Sequence, residues 1–217
     1  MRRTTVVIFD CDGVLVDSER LIQEVDLELI RGLGWPITRE EIFAEHLGRS
    51  EEAVIANIER RLGRAVPTSF VQEKEAAYET VLRERLVAVP GVAEAITVLR
   101  DGGMRMCVAS SARHARIRLS LHLTGLHTSF AEEYLFSAED VARGKPAPDL
   151  FLHAAGRLTT SPQHCVVVED SPAGVEAAKA AGMRVIGYSA LTPAELLSGA
   201  DAVVTHMTDL PAVIAAF

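Results

Sequence analysis

Three things are scarce in this 217-residue sequence: positive charge, cysteine and long apolar runs. Lysine and arginine number 22 against 30 aspartates and glutamates, a formal net charge of -8. That balance argues against nucleic acid or an anionic membrane surface as the main partner. A small phosphorylated substrate stays compatible, because a metal ion and a few cations can invert the field locally. The three cysteines, Cys11, Cys107 and Cys165, form no C-x-x-C pair and are odd in number. Buried free thiols in a reducing compartment account for them better than disulfides or zinc ligands. The seven histidines show no H-x-x-x-H spacing either. No stretch is apolar for long enough to span a bilayer, and the run behind Arg2-Arg3 is too short for a signal-peptide core. A cytoplasmic location is expected. No repeat or low-complexity tract is present.

What the chain does have is an apolar run, Val6-Val7-Ile8-Phe9, of the length and β-branching of a buried strand. It ends on Asp10 and Asp12, one residue apart, then Gly13. Asp and Gly form turns, but carboxylates at a strand's end in an α/β sheet also project into the ligand crevice. From Asp17 to Leu86 the pattern is helical throughout, with segments near 21–30, 39–45, 51–62 and 68–86. From Val89 onward helices and strands alternate. Strands are expected at 104–109, 134–136, 165–168, 185–188 and 202–205, and helices at 90–99, 113–123, from 148, through 181, at 193–197 and at 211–216. Such alternation predicts an α/β fold with a doubly wound, mainly parallel sheet. The predicted core domain covers residues 1–16 and 87–217, and the helical block 17–86 is an inserted cap.

Four more polar clusters follow expected strands or sit in the insertion. Ser110-Ser111 follows the strand MRMCVA, and suits either helix capping or holding an anion at a helix start. Lys145 lies on a loop stiffened by Pro146 and Pro148; it reads either as a surface lysine or as a cation for phosphoryl oxygens. Glu169-Asp170 follows Cys165–Val168. Asp170 or Ser171 would cap the next helix, or Asp170 would converge with Asp10 and Asp12 on a hard cation such as Mg²⁺. Arg49, in the insertion, is either solvated or reaches substrate.

Together these motifs resemble the haloacid dehalogenase-like (HAD) hydrolase superfamily, in the subfamily whose helical cap follows the first strand. FDCDGVLVDSE at Phe9–Glu19, GKPAPD at Gly144–Asp149 and VEDSPAG at Val168–Gly174 carry the resemblance, which runs over essentially the whole chain. It implies a Rossmann-like core. It also implies Asp10 as the nucleophile and Asp12 as the acid and base. By the same resemblance Ser110 and Lys145 hold the phosphoryl group, with Ser111 and Arg49 as further substrate contacts. Mg²⁺ would be bound by Asp10, the Asp12 backbone carbonyl and Asp170, with Glu169 close by. True haloacid dehalogenases lack the second aspartate, so Asp12 points away from dehalogenation. Ile22 and Glu51 stand roughly where β-phosphoglucomutases carry a cap histidine and arginine. Hydrolysis of a sugar phosphate or sugar-acid phosphate is therefore expected, ahead of a phosphomutase or a non-catalytic binding protein.

Overall fold

The structure, a computed structural model, describes residues 5–46, 49 and 51–217, with Phe43 through its backbone only. Six strands form one parallel sheet: β1 (Val6–Phe9), β2 (Arg105–Ser110), β3 (Leu135–Ser137), β4 (Cys165–Glu169), β5 (Arg184–Tyr188) and β6 (Ala202–Val204). Their spatial order is β3-β2-β1-β4-β5-β6, that of a doubly wound fold, with the direction of winding reversing at β1. The register sets Phe9 beside Val108 of β2 and Val168 of β4. The residues following these three strands therefore surround one point.

The central strands are apolar on both sides because helices cover both faces. Val7, Phe9, Val108, Val166 and Val168 pack with α5 (Val92–Asp101), α6 (His114–Leu123) and α9 (Leu210–Ala215). Val6, Ile8, Cys107, Val167 and Val185 pack with α7 (Asp149–Arg157) and α8 (Pro172–Ala180) on the other face. All three cysteines are buried free thiols. The strands and helices expected from the pattern are observed with shifts of a few residues at their ends. The exception is 193–197, where Ala194–Leu197 makes only a 3₁₀ turn. Pro193 and Gly199 leave room for little more, and Leu197 is drawn down against Gly187.

Between β1 and β2 run α1 (Glu19–Gly32), α2 (Arg39–His46), α3 (Glu51–Leu62) and α4 (Phe70–Arg85). They bury their own apolar cluster, including Ile30, Trp35, Ile37, Val54, Ile58 and Phe70. The chain enters and leaves this block side by side. Asp17 N–H donates to the Val87 carbonyl at 2.9 Å, and Val89 N–H to the Leu15 carbonyl at 3.0 Å. No helix among the described residues is long and apolar enough to cross a membrane.

Candidate active site

The ends of β1, β2 and β4 open into a cavity of about 120 Å³ between the sheet and α1–α4. Asp10 is 6% exposed and Lys145 2%. The Lys145 ammonium donates to Asp10 Oδ1 at 2.5 Å, to Glu169 Oε1 at 2.6 Å and to the Ala109 carbonyl at 3.2 Å. All three of its donors are thus used, and it is no surface lysine. Asp10 Oδ2 accepts no hydrogen bond from a described residue. Burial pushes the Asp10 carboxyl up to about 7 even with Lys145 beside it, and the nearby Glu169 and Asp12 charges add to the effect. Burial alone would pull Lys145 down, but Asp10 and Glu169 hold it above its ordinary value.

Glu169, expected close to the metal, has both oxygens engaged. Oε2 accepts from the Ser171 N–H and hydroxyl, each at 2.8 Å. Glu169 therefore tethers Lys145 to the start of α8. Ser171 accepts from Gly174 N–H and so caps α8, with Pro172 in the first turn. That settles the capping alternative and leaves the Asp170 side chain unengaged. Asp170 is 6% exposed, and its carboxylate accepts no hydrogen bond from a described residue. Burial raises it well above the usual carboxylate range, with Glu19, Glu169 and Asp10 contributing. Glu19, at the start of α1, is pushed up to about 8 by burial and by the Asp12 and Asp10 charges.

Among the described residues no three His, Cys, Asp or Glu side chains gather into a complete metal-binding group. A hard cation does not require one: two carboxylates, a backbone carbonyl and water suffice for Mg²⁺. The donors present fit such an ion. Asp10 and Asp170 are desolvated carboxylates in want of positive charge, and Asp170 has no other partner to lose. Gly13 leaves room for the Asp170 carboxylate. Its φ is +76°, and a Cβ there would stand 2.0 Å from Asp170 Oδ2.

Asp12 is held differently. Ser18 donates to its Oδ1 at 2.6 Å, and Arg116 lies 3.4 Å from its Oδ2. Ser110 is 1% exposed and accepts from the Ala112 N–H at 3.1 Å, bending the chain ahead of α6. It does not cap that helix, whose N-cap is Arg113. Ser111, half-buried, lines the cavity wall. Arg49 is exposed at the cavity's rim, and its neighbours Leu47, Gly48 and Ser50 lie outside the described residues. Sequence reasoning missed Ser18, Glu19 and Arg116. The first two belong to the FDCDGVLVDSE run and were legible there; Arg116 sits on an ordinary helical pattern that carries no signal.

A sequence model of the family described as haloacid dehalogenase-like hydrolase matches residues 7–188. Hexitol phosphatase B of Escherichia coli (strain K12) is 32% identical over 187 residues, 85% of this chain and 83% of that protein. Beta-phosphoglucomutase of Bacillus subtilis (strain 168) is 28% identical over 219 residues, 94% of this chain and 90% of that protein. A longer chloroplast protein of Arabidopsis thaliana also matches, with this chain spanning 19% of its length. The crystal structure of a conserved haloacid dehalogenase-like protein of unknown function from Agrobacterium tumefaciens str. C58 superposes with a TM-score of 0.82 and 36% identity, covering 98% of each chain. With a six-stranded doubly wound sheet and a match across most of its length, the chain belongs to the haloacid dehalogenase-like hydrolases.

Proposed function

We propose that the protein is a Mg²⁺-dependent phosphatase that hydrolyses a small phosphorylated metabolite, a sugar phosphate or sugar-acid phosphate, through an aspartyl-phosphate on Asp10. The observation that carries this reading is the triad Asp10–Lys145–Glu169. One oxygen of Asp10, which lines the cavity, is fixed by a buried ammonium, and the other has no partner among the described residues. That is the geometry of a nucleophile and not of a structural ion pair, in which both oxygens would be satisfied. Asp10 Oδ2 attacks phosphorus, the bond from phosphorus to the ester oxygen breaks, and Asp12 gives that oxygen its proton. Asp12 then takes a proton from the water that hydrolyses the aspartyl-phosphate. Ser110 donates to the phosphoryl oxygens and the Lys145 ammonium, its three N–H groups engaged, offsets their charge from beside Asp10, with Ser111 at the cavity wall and Arg49 at its rim. Mg²⁺, held by Asp10, Asp170 and the Asp12 backbone carbonyl, would supply the charge that offsets repulsion between carboxylate and phosphate dianion.

In this reading residues 17–86 form a cap domain over a core of 1–16 and 87–217, and closure of the cap excludes water while Asp10 is phosphorylated. Ile22, not a histidine, lines the cavity on the α1 side, which favours hydrolysis over phosphomutase chemistry. The test is phosphate release from a panel of hexose, pentose, sugar-acid, polyol and glycolate phosphates, with Asp10→Asn as the blank. Release above the blank is expected, lost on chelation with EDTA and restored by Mg²⁺. Interconversion of isomers only when a bisphosphate is added, without release, would replace the phosphatase reading with a mutase.

A further inference from the structure

Arg116 has an environment that folding alone does not explain. It lies in the first turns of α6, directly after the β2 loop, with a side chain 16% exposed. Its Nη2 is 3.4 Å from Asp12 Oδ2 and its Nη1 is 3.8 Å from Glu75 Oε1. The guanidinium carbon lies 5.1 Å from the centroid of the Tyr78 ring. Glu75 and Tyr78 both belong to α4, and Tyr78 is itself fixed by a 2.5 Å hydrogen bond to Asp26 of α1. The Nε is buried with no hydrogen-bond partner among the described residues. A guanidinium buried with one long hydrogen bond and an orphaned N–H costs stability, so packing gives no account of this side chain.

We propose that Arg116 is the positioning residue of Asp12. A carboxylate rotates over a broad, two-fold torsional well, and one donor does not define its plane. Ser18 anchors Oδ1 closely at 2.6 Å. Oδ2 is therefore the oxygen left to exchange a proton with the leaving group, and the planar cation beside it sets the rotation that aims it. At 3.4 Å the guanidinium is near enough to orient Oδ2 by charge, and too far to lock that oxygen away from the substrate. Tyr78 and Glu75 in turn hold the guanidinium from the α4 side. Arg116 touches Asp12 and acts through it. The inference rests on the reading of Asp12 as the proton donor.

A series that separates leaving-group protonation from binding tests the inference. Phenyl phosphate and 4-nitrophenyl phosphate are nearly the same size, but only phenolate leaves poorly without a proton. The quantity compared is kcat/KM, which reports steps up to phosphoryl transfer and not the later hydrolysis of the aspartyl-phosphate. Asp12→Asn is expected to lose about 10²-fold more on phenyl than on 4-nitrophenyl phosphate. Arg116→Met, which keeps the apolar stem over Tyr78, is expected to show the same selective loss at about 10-fold. Arg116→Lys keeps the charge without the planar fork and should fall between Arg116→Met and the wild type. Equal losses on both esters for Arg116→Met and Arg116→Lys, or no loss, would overturn the inference while a selective Asp12→Asn left the reading of Asp12 standing. A non-selective Asp12→Asn would remove the role of Asp12 itself. Should Arg116→Met fail to fold, the lysine variant decides the question alone.

Discussion

Gly174 governs the position of Lys145 without touching it. A Cβ at this position would stand 1.8 Å from Glu169 Oε1, the oxygen that accepts from Lys145. Gly174→Ala must displace Glu169 and with it the ammonium that orients Asp10. The expected result is at least about 10-fold lower turnover, because misplacing a positioned group by an ångström costs about that or more. Phosphate release, with a crystal structure of the variant reporting the Lys145–Asp10 distance, checks it. Lys145→Met leaves Asp10 and Glu169 buried without their counter-ion. Breaking a buried pair in this way destabilises by about 3–5 kcal/mol, measurable by denaturant unfolding, and turnover should vanish with it. The assignment of Asp170 was only half legible at this scale. The run Glu169-Asp170-Ser171 offers two capping candidates, and the sequence does not say which one caps. The choice fell to Ser171 because its hydroxyl reaches Gly174 N–H in the first turn of α8. Glu169 could not be read as a tether at all, since Lys145 lies 24 residues away and only the fold brings the two together.

At the level of elements, α1–α4 stand or fall on a small apolar cluster. Ile58 is fully buried at its centre. Ile58→Ala should cost about 2–5 kcal/mol, loosen the helical block before the sheet, and appear as faster amide exchange in α1–α4 than in β1, β2 and β4. His46 on α2 gives the same block a pH dependence. It is 5% exposed, packs edge-on to Trp35, and has an Nδ1 with no partner among the described residues. Burial holds its imidazole below the ordinary value of 6.5, the hydrogen bond to Asn57 and the Asp26 and Glu45 charges opposing only part of this. The unfolded chain therefore binds the proton first as pH falls. The stability contribution is complete above about 6.5 and is lost as pH drops from there toward the depressed native value. Unfolding free energies between pH 8 and 5 should decline more steeply for the wild type than for His46→Gln; parallel curves would refute the assignment. Each helix of the block was readable as a helical pattern, α1 from the spacing of Leu21, Ile22, Val25, Leu29 and Ile30. Its position over the strand ends was not, because periodicity says which face is buried and nothing about what it is buried against.

Over the whole molecule, two chain crossings join the helical block to the sheet, and they are paired at Val16 and Ala88. A hinge there is expected to let α1–α4 move as one body. Crystals with and without a phosphate analogue should differ in the distance between α4 and the β2 loop; identical positions would rule out closure. What the sequence by itself determined is the order and type of the elements, the doubly wound architecture and the identities of the chemical groups. These follow from local apolar periodicity and from short motifs whose residues are neighbours in the chain. The tertiary structure alone decided how those groups are paired: Lys145 shared between Asp10 and Glu169, Asp170 left bare by Ser171, and Arg116 set between Asp12 and Tyr78. The physical reason is range. Hydrogen bonds and ion pairs act over a few ångströms, and the partners here are separated by up to 135 residues of chain. They meet only once β1, β2 and β4 lie side by side and α1–α4 close over their ends.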